Sequence, residues 1–156
     1  MQYSHKFQTH FTFSEFMATA GSWQHLVDGI QQLRGPTHTP TAIRKVVREL
    51  FVASRGARDN VNKVLLVITD GKTYGDNTPL ADVVAEAEGK GIVRYAIGVG
   101  EAFSDTDAKR ELNTIGSWPS KDYVFQVQDF SALESIRQAL QDKIFAIEGV
   151  SHSKYT

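Results

Sequence analysis

The sequence contains no cysteine. That absence excludes a disulfide framework, a thiolate zinc site and a thiol nucleophile. It leaves the compartment open, because a chain of 156 residues can bury an adequate core without cross-links. An excess of charge of one sign is also lacking. Lys and Arg number 17 and Asp and Glu 18, a formal net charge of −1. A nucleic-acid groove is thereby disfavoured, since neutralising phosphates takes a basic surplus. The longest apolar run, Val64 to Ile68, falls far short of the ~20 residues that span a bilayer. Met1 is followed by Gln-Tyr-Ser-His-Lys, not by the basic and then apolar stretch of a signal peptide. An extracellular role would make this chain a piece of something longer.

Motifs of enzyme chemistry are missing too. There is no GxxxxGK[ST], no GxSxG and no close pair of carboxylates with a water site. His5, His10, His25, His38 and His152 show neither HxxxH nor HxH spacing, so no zinc site is indicated. Gly98-Val99-Gly100-Glu101-Ala102-Phe103 carries the first two glycines of a dinucleotide fingerprint, but Phe103 stands in the third place. A tight turn accounts for those glycines. No repeat, low-complexity tract or linker divides the chain.

What is present is an alternation of strand and helix. Apolar residues make up 41%, enough for a packed core. Short runs bounded by turn residues predict strands at Gln2–Ser4, His10–Phe13, Lys63–Thr69, Val93–Val99 and Tyr123–Val127. Val64-Leu65-Leu66-Val67-Ile68 does not alternate, as expected of a central parallel strand covered on both faces. Helical spacing joins Trp23, Leu26, Ile30 and Leu33. It joins Ile43, Val46, Val47, Leu50 and Phe51 behind a Thr39 N-cap and Pro40, with Gly56 as the stop. Leu80, Val83, Val84 and Ala87 form a third helix closed by Gly89, and Lys109 to Ile115 a short fourth. Ser131 and Glu134 read as a capping box before Leu133, Ile136, Leu140, Ile144 and Ile147. This order predicts a doubly wound α/β fold: a mostly parallel sheet with helices on both faces. Ligands of such sheets bind at the carboxyl ends of the strands.

Two segments there could carry chemistry. Thr69-Asp70-Gly71 places a carboxylate after the apolar strand, where it serves either as an anion for a cation or as a turn residue. Gly35-Pro36-Thr37-His38-Thr39 offers hydroxyls of the kind that ligate Mg²⁺, or simple helix-start hydroxyls. His38 reads as a solvated loop residue.

Taken together, the segments Gly35 to Ile43, Gly56-Ala57-Arg58, Lys63 to Gly71, Arg94 to Gly100, Glu111 to Ile115 and Lys143 to Gly149 resemble a von Willebrand factor A-type domain. They are similar in particular to the inserted (I) domain of leukocyte integrin alpha subunits. The resemblance runs over 1–149 and leaves 150–156 as a tail of no assigned role. It implies a cell-adhesion function without catalysis. A Mg²⁺ ion (or Mn²⁺ or Ca²⁺) at the sheet's carboxyl end would take a carboxylate from a protein ligand. Thr37 and Asp70 match two of the family's metal ligands. The family's Asp-x-Ser-x-Ser loop and the strand before it have no match, which implies an N-terminally truncated fold, two open sheet edges and weak metal binding. Lys72 and His38 would form the ligand rim. Phe130 and Ile144 would anchor a C-terminal helix that slides when affinity changes, and Glu148 would reach the metal site of an integrin beta subunit.

The implied partners are that beta subunit and proteins with an exposed acidic residue, such as cell-surface adhesion molecules, complement fragments and fibrinogen-like chains. Collagen is not expected, because Glu101 to Lys109 is too short for the extra helix of collagen-binding members. The implied place is the extracellular face of the plasma membrane, in a single-pass receptor whose span lies elsewhere. An A-type domain of a matrix or plasma protein is the alternative, and a nucleotide-binding α/β enzyme a distant third.

Overall fold

The computed structural model describes residues 1–147; Glu148, Gly149 and the tail 150–156 lie outside the described residues. The chain divides into two compact units, Met1–Val61 with Thr73–Lys90, and Asn62–Lys72 with Gly91–Thr156.

The second unit is built on a parallel sheet. β3 (Lys63–Thr69), β4 (Ile92–Val99) and β5 (Val124–Val127) lie in the order β3-β4-β5. β4 pairs with β3 from Lys63↔Ile92 to Thr69↔Gly98, and with β5 from Ala96↔Val124 to Val99↔Val127. Seven of its eight residues are buried, as a strand paired on both sides and packed on both faces requires. α5 (Thr106–Ile115) packs on it through Ala108, Leu112 and Ile115. Gly98 permits that approach: a Cβ there would stand 2.7 Å from Phe103 and 2.8 Å from Leu112. α6 (Ser120–Tyr123) leads into β5, and α7 (Leu133–Ile147) closes the described chain.

β3 differs from its sequence reading. The apolar run predicts a strand paired on both sides and covered on both faces, yet among the described residues it pairs only with β4. Leu66 and Ile68 are 38% and 39% exposed, whereas Val67 and Thr69 on the other face are buried.

The first unit holds a short antiparallel pair, β1 (Gln2–Tyr3) with β2 (Phe7–Gln8). The predicted strand His10–Phe13 does not form. Thr12 instead caps α1 (Phe13–Ala18), accepting from Glu15 N while Glu15 Oε2 accepts from Thr12 N at 2.7 Å. The predicted helix through Trp23 and Leu33 shrinks to α2 (Gln24–Val27), because Gly29 turns at φ 82°. α3 (Thr39–Lys45) runs into a π-turn at Val46–Leu50, and it stops at Phe51 rather than Gly56. Gly56 closes a separate 3₁₀ turn in the left-handed region, where a Cβ would meet Ser14 N at 2.6 Å. α4 (Leu80–Gly89) packs against α3 through its buried Val83 and Ala87.

Candidate metal and ligand site

Asp70 stands at the carboxyl end of β3. The buried Thr69 before it donates its hydroxyl to Gly71 O at 2.9 Å and accepts from Gly71 N at 3.4 Å. This small turn fixes the backbone on both sides of Asp70, and the Asp70 side chain is left exposed. Lys72, two residues on, has Nζ 3.8 Å from Asp105 Oδ2, with both side chains about half exposed. Asp105 also caps α5, accepting from Ala108 N at 3.0 Å. Lys72 thus carries a loose ion pair of little energetic weight.

Thr37 and His38 precede α3 in the other unit. Thr37 O accepts from Tyr74 N at 3.0 Å, and His38 N donates to Ser4 O at 3.1 Å. Thr39 is not the N-cap that its sequence suggests. His38 takes that position without a side-chain bond, and Thr39 is the first helical residue. Its hydroxyl is buried and lies 3.0 Å from the Tyr3 hydroxyl.

The cap that His38 omits comes from Asp76, a residue the sequence reading passed over. Its carboxylate accepts from Thr41 N at 2.8 Å, the Thr41 hydroxyl at 2.8 Å and Thr78 N at 2.9 Å. The Thr41 and Thr78 hydroxyls meet at 2.8 Å. Asp76 thereby ties the loop carrying Tyr74 to the first turn of α3, directly after Thr37. Burial by itself would raise the Asp76 pKa, but the bonds from Thr41 and Thr78 outweigh it and hold the group below its ordinary value. A depressed folded-state pKa contributes stability above the unfolded value of 3.8 and loses it as pH falls through the folded value. Asp76→Asn is therefore expected to lower the urea midpoint near neutral pH, with an effect of about 1–2 kcal/mol, and to converge on the parent at acid pH, once Asp76 is protonated in the folded state. Urea titrations at both pH values check this.

The remaining predicted residues lie along α7. Leu133, Ile136, Leu140, Ile144 and Ile147 form one face, and each is half-buried. Phe130, read as an anchor, is 54% exposed. The Ser131–Glu134 capping box does not form. Asp129 is the cap instead, accepting from Ala132 N and the Ser131 hydroxyl, while Glu134 pairs with Arg137. The far end of α7 is held by Lys143 to Asp122 at 3.3 Å and by Asn62 Nδ2 donating to Ile147 O at 2.9 Å.

Asp70 and Thr37 supply a carboxylate and a hydroxyl, hard oxygen donors of the type Mg²⁺ takes. In kind they fit such an ion. In number they fall short, and among the described residues no group of three or more His, Asp or Glu gathers to hold a metal.

Residues 1–139 match the von Willebrand factor type A domain. The chain belongs to that family. This A-type domain is 52% identical over 149 residues to integrin alpha-M of Mus musculus, covering 96% of the chain and 13% of that protein. Identity and both coverages are the same for integrin alpha-X of Homo sapiens. The likeness to leukocyte integrin alpha subunits is thereby borne out, and the chain spans 13% of the length of these relatives. Among solved structures, proximal thread matrix protein 1 from the mussel byssus, with a zinc-occupied MIDAS motif, superposes with TM-score 0.80 at 24% identity. It covers 92% of the A-type domain and 35% of its own chain, and it establishes the shared α/β fold.

Proposed function

We propose that this chain is the ligand-binding I domain of an integrin alpha subunit, an adhesion module and not an enzyme, with 1–149 as one A-type domain and 150–156 as a tail. The observation that carries the reading is Asp70, an exposed carboxylate on a fixed turn at the end of a parallel strand. Asp70 and Thr37 would hold a divalent cation, Mg²⁺ by the hardness of their oxygens. When bound, that ion supplies a positive centre for a carboxylate of the partner protein. Lys72 and His38 at the rim would favour acidic partner surfaces, mainly through the association rate. The receptor would stand at the plasma membrane with its beta subunit and bind adhesion molecules, complement fragments or fibrinogen-like chains rather than collagen. The test is adhesion of cells carrying the full receptor to such acidic ligands. It should require Mg²⁺ and stop with a chelator; adhesion indifferent to chelation overturns the reading.

Metal binding by this chain alone should be weak, because Mg²⁺ keeps its waters and two side-chain donors rarely fix it. Titration calorimetry should show no tight Mg²⁺ binding. Micromolar binding that Asp70→Ala abolishes would contradict this.

The half-buried face of α7 suits a helix that changes position, with Phe130 and Ile144 making contacts that differ between positions. Glu148 would act as the internal ligand of the beta subunit's metal site. In the full heterodimer, Glu148→Ala is expected to block activation through the beta subunit while leaving the isolated domain's affinity intact. Normal activation of that variant in a cell-adhesion assay would reduce Glu148 to a surface charge.

A further inference from the structure

Trp118 is 89% exposed, more than any other large apolar side chain among the described residues. Its indole makes no hydrogen bond or ring contact there. The turn that carries it is nonetheless fixed. Gly116 lies so close to β5 that a Cβ would stand 2.6 Å from Val124. Ser117 bonds Arg94 twice, its N–H donating to Arg94 O at 2.9 Å and its hydroxyl accepting from Arg94 N at 3.0 Å. On the other side Asp122 N donates to Pro119 O at 2.9 Å. A side chain already held in place loses little freedom on capture, and Trp leads the residues that anchor protein contacts. Lys121, three residues on, is exposed and has no ion pair among the described residues, whereas Asp122 is taken up by Lys143. We propose, on the reading of this chain as an integrin I domain, that Trp118 inserts into an apolar pocket with a carboxylate on its rim for Lys121, and that this pocket belongs to the alpha-subunit polypeptide flanking the domain.

Area and position both select that occupant over a separate protein. An indole buries about 200 Å². Even with Lys121 added, the patch stays far below the ~1,600 Å² of a stable interface between independent proteins. So small a contact is occupied when its partner is tethered, at an effective concentration in the millimolar range. The integrin relatives carry most of their length outside the matched segment, which is 13% of each. The tether leaves from the right place. β3, β4 and β5 are parallel, so their first residues share one end of the sheet, opposite Asp70. Trp118 lies at that end, between the close of α5 and the start of β5. α7 finishes there too. Ile147 O accepts from Asn62 Nδ2 beside the first residue of β3, and Lys143 reaches Asp122, four residues past Trp118. A polypeptide leaving α7 departs from the end of the domain that presents the indole.

The test is hydroxyl-radical footprinting of the full receptor carrying this segment, without adhesion ligand and read peptide by peptide by mass spectrometry. Trp118 should be oxidised about five-fold or more slowly than in the same receptor unfolded in urea, as a fully desolvated anchor requires. Tyr74, 74% exposed and in the other unit, should differ by no more than about two-fold between the two states. Lys121→Glu sets like charges together at the rim and should return Trp118 to nearly the unfolded rate. Oxidation of Trp118 at the unfolded rate in the parent would overturn the proposal. So would protection that Lys121→Glu leaves unchanged. Protection that fades on dilution of the receptor would mean a second copy or a separate protein, and would overturn it as well. Adhesion of the same receptor, measured in parallel, tests the I-domain reading by itself: indifference to chelation fails that reading, while the footprint still decides whether Trp118 is buried by the flanking polypeptide.

Discussion

Replacing Asp70 by Ala in an intact receptor that carries this segment is expected to abolish cation-dependent adhesion. The loss in ligand affinity should reach about two orders of magnitude, the consequence of removing one member of a charge contact worth on the order of 3 kcal/mol. Stability should barely change. The Asp70 side chain is exposed, and the turn around it is held by Thr69 and Gly71. Thermal unfolding and far-ultraviolet circular dichroism of the variant should therefore superpose on those of the parent while adhesion vanishes. Unfolding together with the loss of adhesion would make Asp70 a structural residue.

The largest expected loss of stability comes from Arg94, near the start of β4. Its side chain is 3% exposed. Nε donates to Ile115 O at 3.0 Å and Nη1 to Ile92 O at 2.8 Å, so one guanidinium satisfies two backbone carbonyls, one of them at the end of α5. Ser117 braces the same residue, accepting from Arg94 N and donating its own N–H to Arg94 O. Arg94→Ala leaves both carbonyls without that donor and opens a cavity, at a cost of about 3 kcal/mol. For a chain of this size the melting temperature should fall by roughly 10 °C. Arg94→Lys should recover only part, because an ammonium lacks the planar fork that reaches both oxygens. Calorimetry of these variants and of Arg94→Met distinguishes a buried hydrogen-bond hub from simple volume loss, in which case Arg94→Met would match Arg94→Lys.

The parts of the fold visible in the sequence were those written in local apolar pattern. β3, β4 and α4 follow from uninterrupted or periodic runs closed by glycine, and their observed bounds fall within a residue of the predicted ones. Hydroxyl and carboxylate residues were harder, because several of them sit close enough to compete for the same backbone groups. Asp129 captures the cap that Ser131 suggested, since a carboxylate accepts more strongly than a hydroxyl. Thr12 and Glu15 form the box that the sequence reading missed, inside a stretch whose alternation imitates a strand. Asp76 could not be found by local pattern at all. Its main partner, Thr41, is 35 residues away, and only the folded chain brings them together. The place of Asp70 directly after β3 was legible because the apolar run marks where the strand ends.

The π-turn at Val46–Leu50 carries a consequence for length variation. Phe51 N bonds Val46 O at 3.2 Å, five residues back, so this turn contains one residue more than a regular helical turn. An inserted residue held this way is removable. Losing one residue between Val46 and Leu50 would let the backbone fall into ordinary α geometry without moving the ends of the segment far. The side chains within the turn would shift by one position, a helical step of about 100°. A homologue one residue shorter here would keep the entry from α3 and the exit at Phe51, and it would present a different face where Arg48 now binds Glu86 at 2.7 Å.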